Sequence, residues 1–300
     1  MKQDLQHKAG DSNQITRDYF DSLLIEMCHI GSVLPSTKFE LYGEAFSTPV
    51  MTAALSHLNR TSPNGTIEMA KGAKEAGAVL WTGMGGGEEL ESIAATGAKF
   101  IKIVKPYSDN DLVYRQIEHA QKCGALAVGM DVDHAFNRKG QYDKVIDSTM
   151  SPKTLEEIKS FVNATKLPFI IKGVLSEKDA YKCMEAGVKG MVISHHHGIM
   201  DYALPPLMIL PKIVKIVDRS MPIFVDCGIM SGMDAFKAMA LGATAVCVGR
   251  KLLKPLEEEG AGGVQKTIEA MTEELAGAMA YTGSADITNI DPSLIWKRDF

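Results

Sequence analysis

FIIKGVLSEKDAYKCMEAGVKGMVIS, residues 169–194, holds one full period of this chain. An uninterrupted apolar run ends at Lys172 and Gly173, and a second ends at Ser194. Short apolar runs of this kind read as strands of a parallel sheet, covered on both faces. Between them, Ser176 supplies a helix-opening cap and Gly187 a helix-closing one, and Ala180, Cys183 and Met184 fall at helical spacing. The stretch predicts strand, helix, strand.

The same beat runs outward in both directions. Upstream lie PVMTA (49–53), AVLWT (78–82), FIKIV (100–104) and ALAVGMD (125–131); downstream lie PIFVDCG (222–228) and AVCVGR (245–250). GTIEMAKGAKEAG (65–77) and SGMDAFKAMALG (231–242) repeat the helix pattern, each closed by glycine. Eight strand–helix pairs predict a closed (β/α)8 TIM barrel over residues 49–300, with 1–48 as an N-terminal extension capping it. An open doubly wound sheet is the alternative, and it calls for fewer strands. The polar stretch 132–153, directly after the fourth strand, is placed and sized as a lid.

Composition narrows the class. The 300 residues are 45% hydrophobic, enough for one large core, and carry a net charge of −5 with no basic run. That balance argues against nucleic acid or an anionic membrane as partner. No apolar stretch approaches a membrane span of roughly 18 residues. Five widely spaced cysteines fit neither a disulfide framework nor a zinc pattern, and point to a reducing, cytoplasmic setting. The expected partner is a small molecule.

A barrel gathers its chemistry at the C-terminal ends of its strands. Polar residues there are Thr82, Lys102, Asp131, Lys172, the run Ser194–His197, Asp226, Gly249 and Arg250. A lysine at the edge of an apolar run needs an anionic neighbour, because an unpaired buried ammonium is costly. Gly228, Gly232 and Gly249 let backbone approach a ligand closely, and with Arg250 they suit a phosphate after strands seven and eight. In SHHHGIMD (194–201), alternation along an extended segment would send Ser194 and His196 one way and His195 and His197 the other. One of them as a base, a metal pair completed by His134 or Asp201, and a structural cluster all remain open on the residues alone.

The segments FIIKGVLSEKDAYKCMEAGVKGMVISHHHG (169–198) and MPIFVDCGIMSGMDAFKAMALGATAVCVGR (221–250) resemble the FMN-dependent family that oxidises α-hydroxy acids, which includes glycolate oxidase, lactate oxidase and flavocytochrome-type L-lactate dehydrogenase. Its pattern reads K-G, S-N-H-G-G-R, D-G-G-I-R-x-G and G-R. The resemblance implies a noncovalent FMN cofactor, a homo-oligomer (a tetramer) and oxidation of a 2-hydroxy acid to its keto product. It makes His196 the base, Asp131 the carboxylate that orients it, and Lys172 the cation at the N1/O2 edge of the flavin. Asp226, Gly228, Gly249 and Arg250 fall on the flavin and phosphate side, and Ser194, Ala53, Ala54, Thr82 and Lys102 on further cofactor contacts. Arg138 falls on the substrate-carboxylate arginine.

Departures from the pattern are equally specific. The second carboxylate-binding arginine, three residues after the histidine, is Ile199; a glutamine on strand three is Lys102, and a tyrosine two residues on is Val104. The arginine of D-G-G-I-R is Met230, Cys227 replaces a glycine, and the substrate tyrosine of the N-terminal segment has no clear counterpart. Two rivals follow: a metal-assisted lyase or isomerase built on His195–His197, and an FMN-binding barrel without turnover.

Overall fold

The eight apolar runs are the eight parallel strands of one sheet: β1 (Val50–Thr52), β2 (Leu80–Thr82), β3 (Phe100–Val104), β4 (Ala127–Asp131), β5 (Phe169–Val174), β6 (Gly190–Ile193), β7 (Ile223–Val225) and β8 (Ala245–Val248). This computed structural model describes residues 8–298, so the first seven residues of the expected extension lie outside the described residues. Neighbours run β1-β8-β7-β6-β5-β4-β3-β2. The seam between β1 and β2 is held partly by a side chain. The Thr52 N–H donates to the Val79 carbonyl, the Trp81 N–H donates to the Thr52 hydroxyl, and Leu55 bridges to Thr82. The result is a barrel.

An N-terminal helix α1 (Ser12–Ser22) precedes the barrel. One helix then follows each strand: α2 (Gly65–Glu75), α3 (Gly87–Ala95), α4 (Asn110–Lys122), α5 (Leu155–Asn163), α6 (Glu177–Ala186), α7 (Pro206–Val217), α8 (Gly232–Ala240) and α9 (Leu253–Tyr281). The caps are those the residue types dictate. Ser176 and Ser231 accept from the third N–H of α6 and α8, and Gly187 closes α6 in the left-handed region at φ +74°.

Parity along the strands decides what the site can contain. Trp81 on β2 meets Phe224 on β7 edge to face at 5.0 Å, and these strands are not neighbours, so both side chains lie inside the barrel. Residues paired across a parallel ladder point the same way, and alternate residues point oppositely. From Trp81 the registers carry the inward set through Ile101 and Ile103 to Gly129 and Asp131, on to Ile170 and Lys172, then Val192, Phe224, Ala245, Cys247 and Met51. The apolar members fill the lower barrel, and the charged ones crown it.

The segment before β1 reaches both ends. A hairpin of Phe39–Leu41 and Glu44–Phe46 sits at the N-terminal ends of the strands, where the Tyr42 hydroxyl donates to the Lys189 carbonyl. Helix α1 lies at the opposite end. It buries Phe20 completely, worth about 1.5–3 kcal/mol against exposure, and Arg17 forks both oxygens of Asp234 while donating to the Gly228 carbonyl. After β4 the chain makes a short turn at Val132–His134 and a small antiparallel ladder of Lys144–Val145 with Ser148–Thr149. Among the described residues no helix is long and apolar enough to cross a membrane.

Candidate active site

A cavity of about 400 Å³ opens at the C-terminal ends of the strands. Ala53, Ala54, Lys172, His196, Asp226, Gly228, Gly249 and Arg250, all singled out from sequence, line it. Leu55, Met84, Lys105, His134, Val145, His197, Ile229, Met230 and Cys247 complete much of the wall.

At its floor is a compact set of charges. Asp131 ends β4 and Lys172 sits beside it in register on β5. The Lys172 ammonium lies 3.1 Å from Asp131 Oδ1 and 3.5 Å from Asp226 Oδ2, and Lys105 donates to Asp131 Oδ2 at 2.6 Å. Burial works against the charge on both partners. For Asp131, Lys172 and Lys105 outweigh it and hold the carboxyl well below its usual range; for Lys172, Asp131 and Asp226 outweigh it and hold the ammonium well above. Both are ionised at neutral pH.

The histidine run does not continue the strand. His196 and His197 adopt left-handed backbone, φ +47° and +56°, which turns the chain sharply after Ser194. Such conformations in residues other than glycine are strained and gather at functional sites. The expected alternation is therefore corrected: His196 and His197 both line the cavity, and His195 is the one turned away. His195 Nδ1 accepts from the Gly198 N–H at 2.9 Å, so its Nε2–H donates to the Thr16 hydroxyl at 2.8 Å, and burial lowers its pKa. It is a neutral structural residue that ties α1 to the loop after β6. His197 Nδ1 donates to Asn13 Oδ1 at 3.0 Å, an oxygen that also accepts from Arg250 at 2.9 Å.

His196 is held at Nδ1, 3.2 Å from Asp131 Oδ1 and 2.8 Å from Asp133 Oδ1. That leaves Nε2 for the cavity. Burial lowers the imidazole's pKa, but the hydrogen bonds to Asp131 and Asp133 raise it further, to about 9. Asp133, buried and beside Asp131, is pushed up to about 6. His134 packs its ring edge-on against His196 at 4.9 Å between centroids.

Several expected site residues stand elsewhere. Lys102 and Thr82 pair with each other on the sheet face opposite Trp81, and neither lines the cavity. The Lys102 ammonium donates to the Gly83 carbonyl, and burial lowers its pKa to about 8. The inward pair on this strand is Ile103 and Lys105, each one residue beyond the positions, Lys102 and Val104, that the resemblance singled out. A slip of one residue reverses every side chain of a strand. Ser194 is buried under the wall, where its hydroxyl accepts from the His196 N–H. Arg138 donates to the Gly198 carbonyl at 3.3 Å and Ile199 is half-buried in the turn; neither lines the cavity. Sequence reading missed Lys105 and Asp133, and raised His134 only as a metal ligand. The D-x-D spacing of Asp131 and Asp133 was the available signal for one, and the lysine just past FIKIV for another.

The metal reading fares poorly. His195 and His197 are spent on Thr16 and Asn13, and Asp201 pairs with Lys8. Ligand atoms of Asp131, Asp133 and His196 do lie within 4.8 Å of one another. Two ammonium groups already occupy the oxygens of Asp131, so the cationic charge there is the protein's own. Cys227, in left-handed backbone at φ +64°, has its thiol pushed up to about 12 by burial, which suits packing better than nucleophilic chemistry.

Comparison with known proteins settles the lineage. The family model described as FMN-dependent dehydrogenase matches residues 5–154 and 137–297. The chain belongs to that family. It is 27% identical to the glycolate oxidase of Spinacia oleracea, covering 96% of this chain and 86% of that one, and 29% identical to the 4-hydroxymandelate oxidase of Amycolatopsis orientalis, covering 84% and 80%. Among solved structures, a mandelate oxidase mutant with (S)-mandelic acid superposes with a TM-score of 0.88 at 25% identity, over 98% of this chain and 91% of that one. The chain is thus an FMN-dependent oxidoreductase of the 2-hydroxy-acid-oxidising kind, and its barrel is theirs.

Proposed function

We propose that the barrel, residues 49–300 with 1–48 as its cap, oxidises a 2-hydroxy acid bulkier than glycolate or lactate to the 2-keto acid, with His196 as the base. The observation that carries this is His196 itself: it lines the cavity, with Nδ1 committed to carboxylates beside Lys172.

The residues present fit FMN. The cavity falls within the roughly 300–1,000 Å³ usual for cofactor sites. Small side chains, Ala53 and Ala54, close its β1 side, and a Cβ on Gly249 would sit 3.5 Å from the Ala53 Cβ, in space the glycine leaves clear. Gly228, Gly249 and Arg250 would hold the phosphate, and Lys172 and Asp226 the ring edge. Met230 contributes no charge there, which predicts weaker retention of the cofactor.

FMN bound here supplies the two-electron sink that oxidation of a carbinol to a ketone requires. His196 Nε2 takes the hydroxyl proton, while the carboxylate side at Nδ1 fixes the ring and stabilises the imidazolium formed. Lys172, kept charged by Asp131 and Asp226, faces negative charge that develops during electron transfer. The wall offers the ammonium groups of Lys105 and Lys172 to a substrate carboxylate, in place of a guanidinium at position 138 or 199. An ammonium is a point charge without the two-pronged geometry of arginine, and it orients a small acid less strictly. Leu55, Met84, Val145 and Ile229 add apolar surface that a larger substituent would cover.

Cytoplasmic residence and homo-oligomerisation, as a tetramer, belong to the same proposal. All five cysteines are free. Leu24, paired across a short ladder with Trp296, is exposed, as are Met27, Ile30, Val33 and Leu34 further along the extension, and an oligomer contact would cover such surface. Anaerobic mixing of the FMN-loaded protein with a graded series of 2-hydroxy acids tests the activity. Bleaching of the flavin is expected, fastest with the larger aliphatic and aromatic members; no bleaching by any member would leave a barrel that binds FMN without turnover.

A further inference from the structure

The two carboxylates on His196 are not equivalent. Asp131 gives one oxygen to Lys105 and the other to Lys172, so its charge is already met by ammonium groups. Asp133 makes no ion pair with lysine or arginine among the described residues; its partner is His196, at the shorter distance of 2.8 Å. The count around the floor makes the same point. Asp131 and Asp226 balance Lys105 and Lys172, a neutral set before the histidine gains a proton. Asp133 is the remaining negative charge, and the imidazolium is the charge it matches.

The fold makes room for it. Gly173, φ +98°, follows Lys172 on β5, and a Cβ built there would lie 2.5 Å from Asp133 Cγ and 2.6 Å from its Cβ and Oδ2. The Asp133 carboxyl thus rests against the bare Cα of the glycine in the K-G pair. Oδ2 is buried with no hydrogen-bond partner of its own, so the whole bonding capacity of the group is directed through Oδ1 at the imidazole.

We propose that Asp133 is a positioning residue for His196: it accepts a hydrogen bond from the Nδ1–H, presents Nε2 to the substrate, and supplies the negative charge that balances the imidazolium, while Asp131 serves the two lysines. The kinetic part rests on His196 being the base; the titration part does not. The groups facing His196 are Asp131 and Lys105 at the β3 and β4 ends, Asp133 and His134 in the turn after β4, Lys172 on β5, and His197, Asp226 and Arg250 from the later loops.

The test is NMR titration of labelled histidine in the FMN-loaded protein without substrate, for wild type, Asp133→Asn, Asp133→Ser and Asp131→Asn. The wild-type His196 signal is expected to titrate near 9, where its hydrogen bonds to the carboxylates push it; both Asp133 variants should lower it by about 1–3 units, the range for losing an adjacent opposite charge. The serine variant covers the case in which an asparagine amide turns its N–H at the imidazole or the protein fails to fold. The acid limb of kcat/KM should move down by the same amount, with the limiting rate of flavin reduction falling about 10–100-fold through misplacement of the base, and FMN affinity unchanged. A lost rate without movement of the limb would be a structural effect and would overturn the proposal. So would an unmoved His196 titration in both Asp133 variants. If His196→Ala still reduces flavin, the base reading fails, and the titration result stands apart from it.

Discussion

Replacing Lys105 by methionine (K105M) removes one cation from the floor of the cavity while keeping an unbranched side chain of similar length. The Lys105–Asp131 pair is 2.6 Å long, with side chains 10% and 5% exposed. Deleting one partner of a buried pair costs about 3–5 kcal/mol, because the other charge is left uncompensated. Asp131 retains Lys172 at 3.1 Å, which argues for the lower end, about 3 kcal/mol. At roughly 2–4 °C per kcal/mol for a chain of this size class, Tm should fall by about 6–12 °C. The sign with pH follows from Asp131. Its folded pKa is depressed below the ordinary 3.8, so its stabilisation is present above that value and lost as pH falls through the folded one. The gap between variant and wild type should therefore be full at pH 5–7 and shrink in acid. Scanning calorimetry of both proteins at saturating FMN across pH measures it. An unchanged Tm, or a gap that widens in acid, would refute the view that Asp131 draws its ionisation from Lys105.

His196→Ala should keep FMN bound and slow flavin reduction by at least ~10²-fold, as stopped-flow spectroscopy would show. His195→Ala should instead destabilise the fold by about 1–3 kcal/mol in denaturant titration, because the Gly198 N–H and Thr16 lose their partner. Since a protonated imidazole cannot act as base and His196 is raised to about 9, kcat/KM should climb with pH from 6 until that value and then level; a plateau already at pH 7 would contradict it. Glycolate and lactate should rank low in kcat/KM, and Ile199→Arg should shift preference toward them if the guanidinium reaches the cavity from the turn.

Strand positions were readable because each parallel strand is buried on both faces and its apolar run needs no partner to be seen. Side-chain direction was not readable on β3. FIKIV carries buried apolar residues on both faces, and its one polar residue, Lys102, shares the outer face with Val104, so the local cue misleads; the ladder to β2 and β4 sets Ile103 inward. The site was legible where chemistry coincides with a strand end, as at Asp131, Lys172 and Asp226. It was hidden where the backbone leaves the strand, since His196 and His197 take up left-handed geometry without a glycine to announce it. Asp133 lies in a tight turn that folds it back over Gly173, a contact between β4 and β5 that no spacing within one segment encodes.

The attachments of α1 have a temporal side. Thr16 meets His195, Arg17 meets Asp234, and Asn13 meets Arg250, across separations of 179, 217 and 237 residues. A helix made before every barrel strand thus waits for nearly the last of them before its polar face finds partners. Contacts this distant in sequence form late and slow the final stage of folding. The phosphate side of the cavity, where Asn13 restrains Arg250, should be the last part of the molecule to become competent. In refolding experiments flavin capture should lag behind the recovery of helical signal, with the docking of α1 as the step between them.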